Sequence, residues 1–288
     1  MLKIDGSMGE GGGSVLRLSI ALAAVKNEPV EIRNIRANRS APGLKNQHLA
    51  AVKCLKKLTD SEVEGLKKNS KKIFFDPNKI QTKNVKTDVG TAGSTTLILQ
   101  TVMIPATFAK ESVNVQLTGG TDNPFAPPID YLKHVKLPIL RKIGYQAKVK
   151  LDKRGHYPKG GGEIRATINP VKSLNPLRLE KRGKIQKIFG KSHTVKLPDH
   201  IAKREAKSAK KLLNEKGYET KIETETQEEP ENHQQSPGTG IVLWAKTKQG
   251  SILSSSCLGE KGKPAEEVGE EAAEKLIQQI ETEKAFDP

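Results

Sequence analysis

Asp5-Gly6-Ser7-Met8-Gly9-Glu10-Gly11-Gly12-Gly13-Ser14-Val15-Leu16-Arg17 is the stretch on which the fold turns. A short apolar strand enters it, a glycine turn follows, and an alanine-rich helix leaves it. The glycines remove side-chain bulk and permit positive φ, so backbone N–H groups can converge on an anion where a helix N-terminus adds its dipole. Arg17 lies one turn inside that helix and offers a fixed fork of donors to phosphate oxygens. Glu10, held between glycines, repels phosphate unless a divalent cation stands between them. Taken alone, the same residues also describe a tight turn with a solvated glutamate.

Outward from this turn, the pattern predicts a helix over 15–25 with Ser14 as N-cap, stopped by Asn27-Glu28-Pro29. A strand over 30–35 and a second helix beginning near Gly43 follow, the helix carrying Leu44, His48, Ala51, Val52, Leu55 and Leu58 on one face. Two short strands over 61–66 and 72–75 complete a β-α-β-α-β-β unit. The order then recurs: a strand over 85–89, the turn Gly90-Thr91-Ala92-Gly93-Ser94, a helix to about 104, a strand over 113–117, a helix over 129–143, and strands over 147–151 and 163–168. A third copy opens with a strand near 177–179 and is interrupted over 183–262. That insert reads as a strand over 184–189, a helix capped by Asp199, and strands over 219–224, 240–246 and 251–255, with an irregular loop over 227–240. Pro264 starts an amphipathic helix with Ala265, Val268, Ala272, Leu276 and Ile280 on one stripe, which matches the first helix of a repeat. The expected class is therefore α+β, with a large domain of repeated β-α-β-α-β-β units (1–182 plus 263–288, the third unit incomplete) and a smaller inserted α/β domain (183–262).

Composition narrows the partners. Forty-nine Lys and Arg against 33 Asp and Glu give a formal charge of +16, which favours a polyanion, nucleic acid first, over a neutral metabolite. Some of those lysines simply solvate the surface. Two cysteines are too few for a disulfide framework or a zinc finger, and no apolar run approaches membrane length, so a soluble cytoplasmic protein without signal peptide or membrane partner is expected.

Three further constellations accompany the opening turn. Arg36-Ala37-Asn38-Arg39, followed by Pro42-Gly43 and Gln47, places two arginines before a helix start, an anion trap unless both are merely solvated. Gly90 to Ser94 with Gln100, and Gly119-Gly120-Thr121-Asp122-Asn123-Pro124 with Pro127 and Tyr131, pair glycine turns with groups that hydrogen-bond and stack on a purine; turn chemistry accounts for each singly. Arg154 to Glu163, with its three glycines, joins two strands, and its Arg, His and Lys could touch RNA phosphate. No histidine receives a catalytic role.

Together with His156-Tyr157-Pro158 and Gly160-Gly161-Gly162, these motifs resemble the RNA 3′-terminal phosphate cyclases over nearly the whole chain. The resemblance implies ATP and Mg²⁺ or Mn²⁺ as cofactors and RNA with a 3′-phosphate end as partner. It further implies a histidine that becomes adenylylated, transfer of AMP to the RNA 3′-phosphate, and displacement of AMP by the vicinal 2′-hydroxyl to close a 2′,3′-cyclic phosphate. By motif, Glu10 matches a metal-associated carboxylate, Arg17, Arg36 and Arg39 match phosphate or RNA contacts, and Gln47, Gln100, Pro127 and Tyr131 match positions lining the nucleotide. The family's nucleophilic histidine lies in a C-terminal motif that none of the six histidines matches, so it is expected beyond Pro288. A non-catalytic cyclase-like ribosome-assembly protein, and an enolpyruvyl transferase of similar repeat architecture, are the alternatives; the intact Glu10, Arg17, Arg36, Arg39 and Gln100 set argues against the first.

Overall fold

The computed structural model describes residues 1–82, 84–227, 235–282 and 285. It divides into two compact units, Met1–Gly120 with Tyr145–Lys153 and Gly162–Leu174, and Thr121–Gly144 with Arg154–Gly161 and Asn175–Pro288.

The first unit contains β1 (Leu2–Asp5), α1 (Gly13–Lys26), β2 (Val30–Arg33), α2 (Asn46–Thr59), β3 (Glu62–Glu64) and β4 (Ile73–Asp76). It continues with β5 (Val85–Asp88), α3 (Thr95–Ala106), β6 (Val113–Gly119), β7 (Gln146–Lys153) and β8 (Gly162–Asn169). The strand orders β1-β2-β4-β3 and β5-β6-β8-β7 are the same topology used twice, and in each the first two strands run parallel while the others pair antiparallel. That is the repeat the sequence announces. One face of each sheet is apolar, through Val30, Ile32, Ile73 and Phe75 in one and Val85, Val115, Leu117 and Ile164 in the other, as alternation along a half-buried strand requires. The helices α1, α2 and α3 pack on one another and on these faces.

The second unit contains a short helical rod, α4 (Ile129–Tyr131), a π turn (Leu132–Lys136) and α5 (Leu137–Lys142), followed by β9 (Ile185–Val195), α6 (Asp199–Glu215), β10 (Thr220–Gln227), β11 (Gly238–Thr247), β12 (Ile252–Leu258) and α7 (Ala265–Glu281). Its sheet has the order β10-β9-β11-β12. The central strand β11 is buried on both faces. Ile241, Leu243 and Ala245 meet the core under α6 and α7, whereas Val242 and Trp244 pack with Val135 and Ile252 on the other side. An uninterrupted apolar run is what such a strand needs. The apolar stripe of α7, through Val268, Ala272 and Leu276, faces the same core as Ile241 and Leu243.

Several local expectations change. Ser14 is not the cap of α1: Gly12 holds that position and no side chain caps the helix. The second helix begins at Asn46 after Lys45, not near Gly43, because residues 43 and 44 are still tied into the loop through Gly43 N–H to Ile35 O and Leu44 N–H to Ser70 O. Asp199 is the first residue of α6, preceded by Pro198, and is ion-paired with Lys203. No strand forms at 177–179; residues 170–184 carry neither helix nor strand, and Pro170 and Pro176 cannot donate to a ladder there. Of the loop expected over 227–240, residues 228–234 lie outside the described residues, and β11 already begins at Gly238.

Candidate active site

In the first unit the opening turn is fixed by Asp5, whose Oδ1 accepts hydrogen bonds from the Ser7 amide (2.9 Å), the Ser7 hydroxyl (2.7 Å) and Asn34 Nδ2 (3.1 Å). The chain then passes through Gly9 and Gly11, both left-handed, into an α1 whose first N–H groups lack a side-chain cap. Those donors and the helix dipole are open to an anion.

Three side chains from different elements close over that start. Arg39 crosses Gly12 and reaches Glu10, its Nη2 3.0 Å from Oε2. Arg17 and His48 both crowd Gly13: an added Cβ there would lie 2.2 Å from His48 Nε2 and 2.9 Å from Arg17 Nη1. Gly13 therefore serves close approach. Arg36 stands at φ 56° in the loop after β2 and donates through Nη1 to Ala41 O (2.6 Å) and Gly43 O (3.1 Å), so part of its donor set braces the loop that carries Arg39.

His48 is the candidate site residue that sequence reasoning misses. The helix period places it on an apolar face, yet its Nδ1 accepts the Lys45 amide at 3.1 Å and its Nε2 turns to Gly13. A ring that accepts at Nδ1 carries its proton on Nε2. Burial, with the charges of Arg17, Arg36 and Lys45, pushes its pKa down to about 3, so it is a neutral N–H donor beside the uncapped helix. The available signal was the pair Gln47-His48 directly after the Arg36–Arg39 loop.

Gln47 uses Oε1 to accept the Ser94 amide (2.8 Å), tying the start of α2 to the second glycine turn, where Ser94 Oγ caps α3 by accepting the Leu97 amide (3.2 Å). Gln100 lies on α3, and its Nε2 is buried with no hydrogen-bond partner. An orphaned buried amide of this kind suits a ligand.

Pro127 and Tyr131 belong to the second unit. There they line a cavity of about 580 Å³ with Ser254, Ser256, Lys275 and Gln279. The size suits a small ligand, and Gln279 Oε1, buried without a partner, offers it an acceptor.

The segment 154–163 is not an RNA-contact hairpin in its Arg and His. Arg154 is fully buried, with Nη1 3.1 Å from Asp122 Oδ2, Nη2 2.6 Å from Asp130 Oδ2 and Nε 2.7 Å from Glu225 Oε1. His156 is buried and its Nε2 lies 3.2 Å from His193 Nε2. Burial lowers the pKa of both imidazoles.

A protein-family model described as RNA 3′-terminal phosphate cyclase matches residues 8–282. The whole chain is 46% identical to a protein of Methanopyrus kandleri named RNA 3′-terminal phosphate cyclase, covering 82% of that protein. Relatives of the same name from Ignicoccus hospitalis and Pyrococcus furiosus are 48% and 46% identical, again over 100% of this chain and over 81% and 82% of theirs. Among the described residues, no helix is long and apolar enough to cross a membrane.

Proposed function

The chain belongs to the RNA 3′-terminal phosphate cyclase family, and from that premise we propose that it is built for ATP-dependent conversion of an RNA 3′-phosphate end to a 2′,3′-cyclic phosphate, releasing AMP and pyrophosphate. The observation that carries this reading is the convergence of Arg17, Arg39 and His48 on the uncapped start of α1 at Gly12 and Gly13. Phosphoryl chemistry of this kind asks the protein for position and charge neutralisation. The arginines supply fixed positive charge, and His48 adds a neutral Nε2–H that binds a phosphate oxygen without competing for protons near neutral pH.

Glu10 has one oxygen to offer a divalent cation: it is exposed on a glycine turn, and Arg39 engages Oε2 while Oε1 points to solvent without a partner among the described residues. Mg²⁺ or Mn²⁺ bound there would neutralise phosphate charge and let Glu10 share a site with an anion. Within the first unit Gln100 supplies an unpartnered amide, and within the second Pro127 and Tyr131 line a cavity with apolar surface; each taken by itself has the chemistry expected of a nucleotide-lining group. The reading takes the reaction through an adenylylated histidine and an adenylylated RNA end. It assigns the nucleophile to none of the described histidines: His48 is pinned by Lys45, His134 stacks on Trp244, His156 and His193 face each other, and His200 is exposed on α6.

The test incubates the full-length protein with α-labelled ATP, Mg²⁺ or Mn²⁺, and RNA ending in 3′-phosphate or 3′-hydroxyl. Labelled protein and a phosphatase-resistant end formed only from the 3′-phosphate are expected. Absence of both would sink the reading.

A further inference from the structure

We propose that Asp122, His156 and His193 form a binding site for one divalent transition-metal ion of the zinc class, separate from the cation expected at Glu10. The three residues come from distant parts of the sequence, on the loop before α4, the connection between β7 and β8, and strand β9, yet all lie in the second unit and are buried. Their ligand atoms fall within 4.8 Å of one another.

The spacing of the ligand atoms accommodates a shared ion as well as it does a hydrogen bond. The two imidazoles meet by Nε2 at 3.2 Å. Two nitrogens bound to one tetrahedral ion at about 2.0–2.1 Å stand roughly 3.3 Å apart. The Oδ2 of Asp122 is 4.0 Å from His193 Nε2 and is engaged by Arg154 and by the Thr121 hydroxyl at 2.7 Å. Its other oxygen, Oδ1, is buried and has no partner. A movement of the carboxylate by roughly 1 Å would complete three ligands and leave a fourth position for water.

The space for the rings is built into the backbone. Strand β11 opens with Gly238-Thr239-Gly240, and a Cβ at Gly238 would lie 2.2 Å from His156 Cγ, while one at Gly240 would lie 3.4 Å from His193 Cε1. Charge also suits a cation: Asp122, Asp130 and Glu225 surround Arg154, and Lys191 adds only a distant contact of 3.4 Å to Glu225. Two imidazoles and one carboxylate are ligands for zinc or a neighbouring transition ion, rather than for calcium or magnesium. Bound there, the ion would tie three separate segments of the second unit together.

The experiment strips the full-length protein with a chelator and titrates it with Co²⁺, then loads Zn²⁺ for X-ray absorption. One equivalent per chain is expected, with the visible bands of four-coordinate cobalt and a zinc shell of imidazole nitrogen at about 2.0 Å without sulfur at about 2.3 Å. Glu10→Gln should keep that equivalent, whereas His156→Phe and His193→Gln should weaken it by at least about a hundredfold. Should both histidine variants fail to fold, the zinc spectrum of the unaltered protein decides. Absence of a tight equivalent, a sulfur shell, or loss of the equivalent in Glu10→Gln alone would overturn the proposal.

Discussion

Arg39 Nη2 stands 3.0 Å from Glu10 Oε2, so the carboxylate of the glycine turn and the second arginine of the following loop form one ion pair across the start of α1. Their side chains are 48% and 89% exposed, and a pair so solvated adds little to stability. Glu10→Gln should therefore leave the melting temperature unchanged within about a degree, while raising the Mn²⁺ or Mg²⁺ concentration needed for half-maximal cyclisation at least about tenfold. Thermal unfolding and a metal titration of activity measure the two effects.

His48 predicts acid sensitivity. Its folded pKa of about 3 lies below the unfolded value of 6.5, so the unfolded chain binds more protons between them. Stability from this group is fully present above about pH 6.5 and is lost as pH falls toward 3, at about 1.4 kcal/mol per pH unit. His156 and His193 act in the same direction. In His48→Gln, the fall in urea-unfolding free energy between pH 7 and pH 4 should shrink by a few kcal/mol; an unchanged slope would contradict the assigned protonation.

Glu205 has the opposite sign. It is buried on α6, accepts from the Ser192 hydroxyl at 2.7 Å, and lies 2.6 Å from Thr239 Oγ1, an oxygen with a single proton that is also 2.7 Å from His193 O. Since the backbone carbonyl can only accept, the Thr239 proton goes to His193 O and Glu205 must donate to Thr239. Burial pushes the Glu205 carboxyl up to about 7. The folded protein thus holds an extra proton between about 4.5 and 7, and stability is lost as pH rises through that window. Glu205→Gln can keep both contacts and should stabilise the protein by roughly 2–3 kcal/mol at pH 8 while changing little at pH 5. Unfolding curves at the two pH values compare them.

Arg154 holds Asp122, Asp130 and Glu225 together in the interior of the second unit. Burial alone would lower its pKa, but the charges of Asp122 and Asp130 and the bond to Glu225 raise it, so it stays charged. Arg154→Met leaves buried carboxylates without their partner and should cost about 3–5 kcal/mol in denaturant unfolding. Arg154→Lys should recover only part of that loss, because one ammonium cannot reproduce the fork that meets three carboxylates.

The repeat was legible because its signals are local: a glycine turn before an apolar helix, then paired short strands, twice in the same order. The same locality explains the misses. Arg154 looked like an RNA contact because the carboxylates that bury it lie 24 to 71 residues away in sequence. His48 fitted a helix period, and nothing in that period tells a core histidine from one whose Nε2 emerges at a helix start. For α7 the amphipathic stripe announces the helix but not the sheet it covers, since stripe spacing carries no information about partners. Ser14 and Asp199 are good capping residues that fell one or two positions inside their helices, where backbone geometry at Gly12 and Pro198 set the boundary.

The π turn at Leu132–Lys136 gives the rod of the second unit an unusual genetic property. Leu137 donates its amide to Leu132 O, five residues back, so the turn contains one residue more than an α-helix would use. Deleting one residue here would let the turn close as an ordinary α-helix with the rod after it facing much as it does now; inserting one more would rotate everything after it by about 100° relative to Asp130 and Tyr131. After such an insertion Leu137, buried now, would swing off the core, while Asp130 kept its place on Arg154. Along this rod the reading frame of the helix is thus constrained in one direction only: a one-residue deletion within the turn should be tolerated where a one-residue insertion is not.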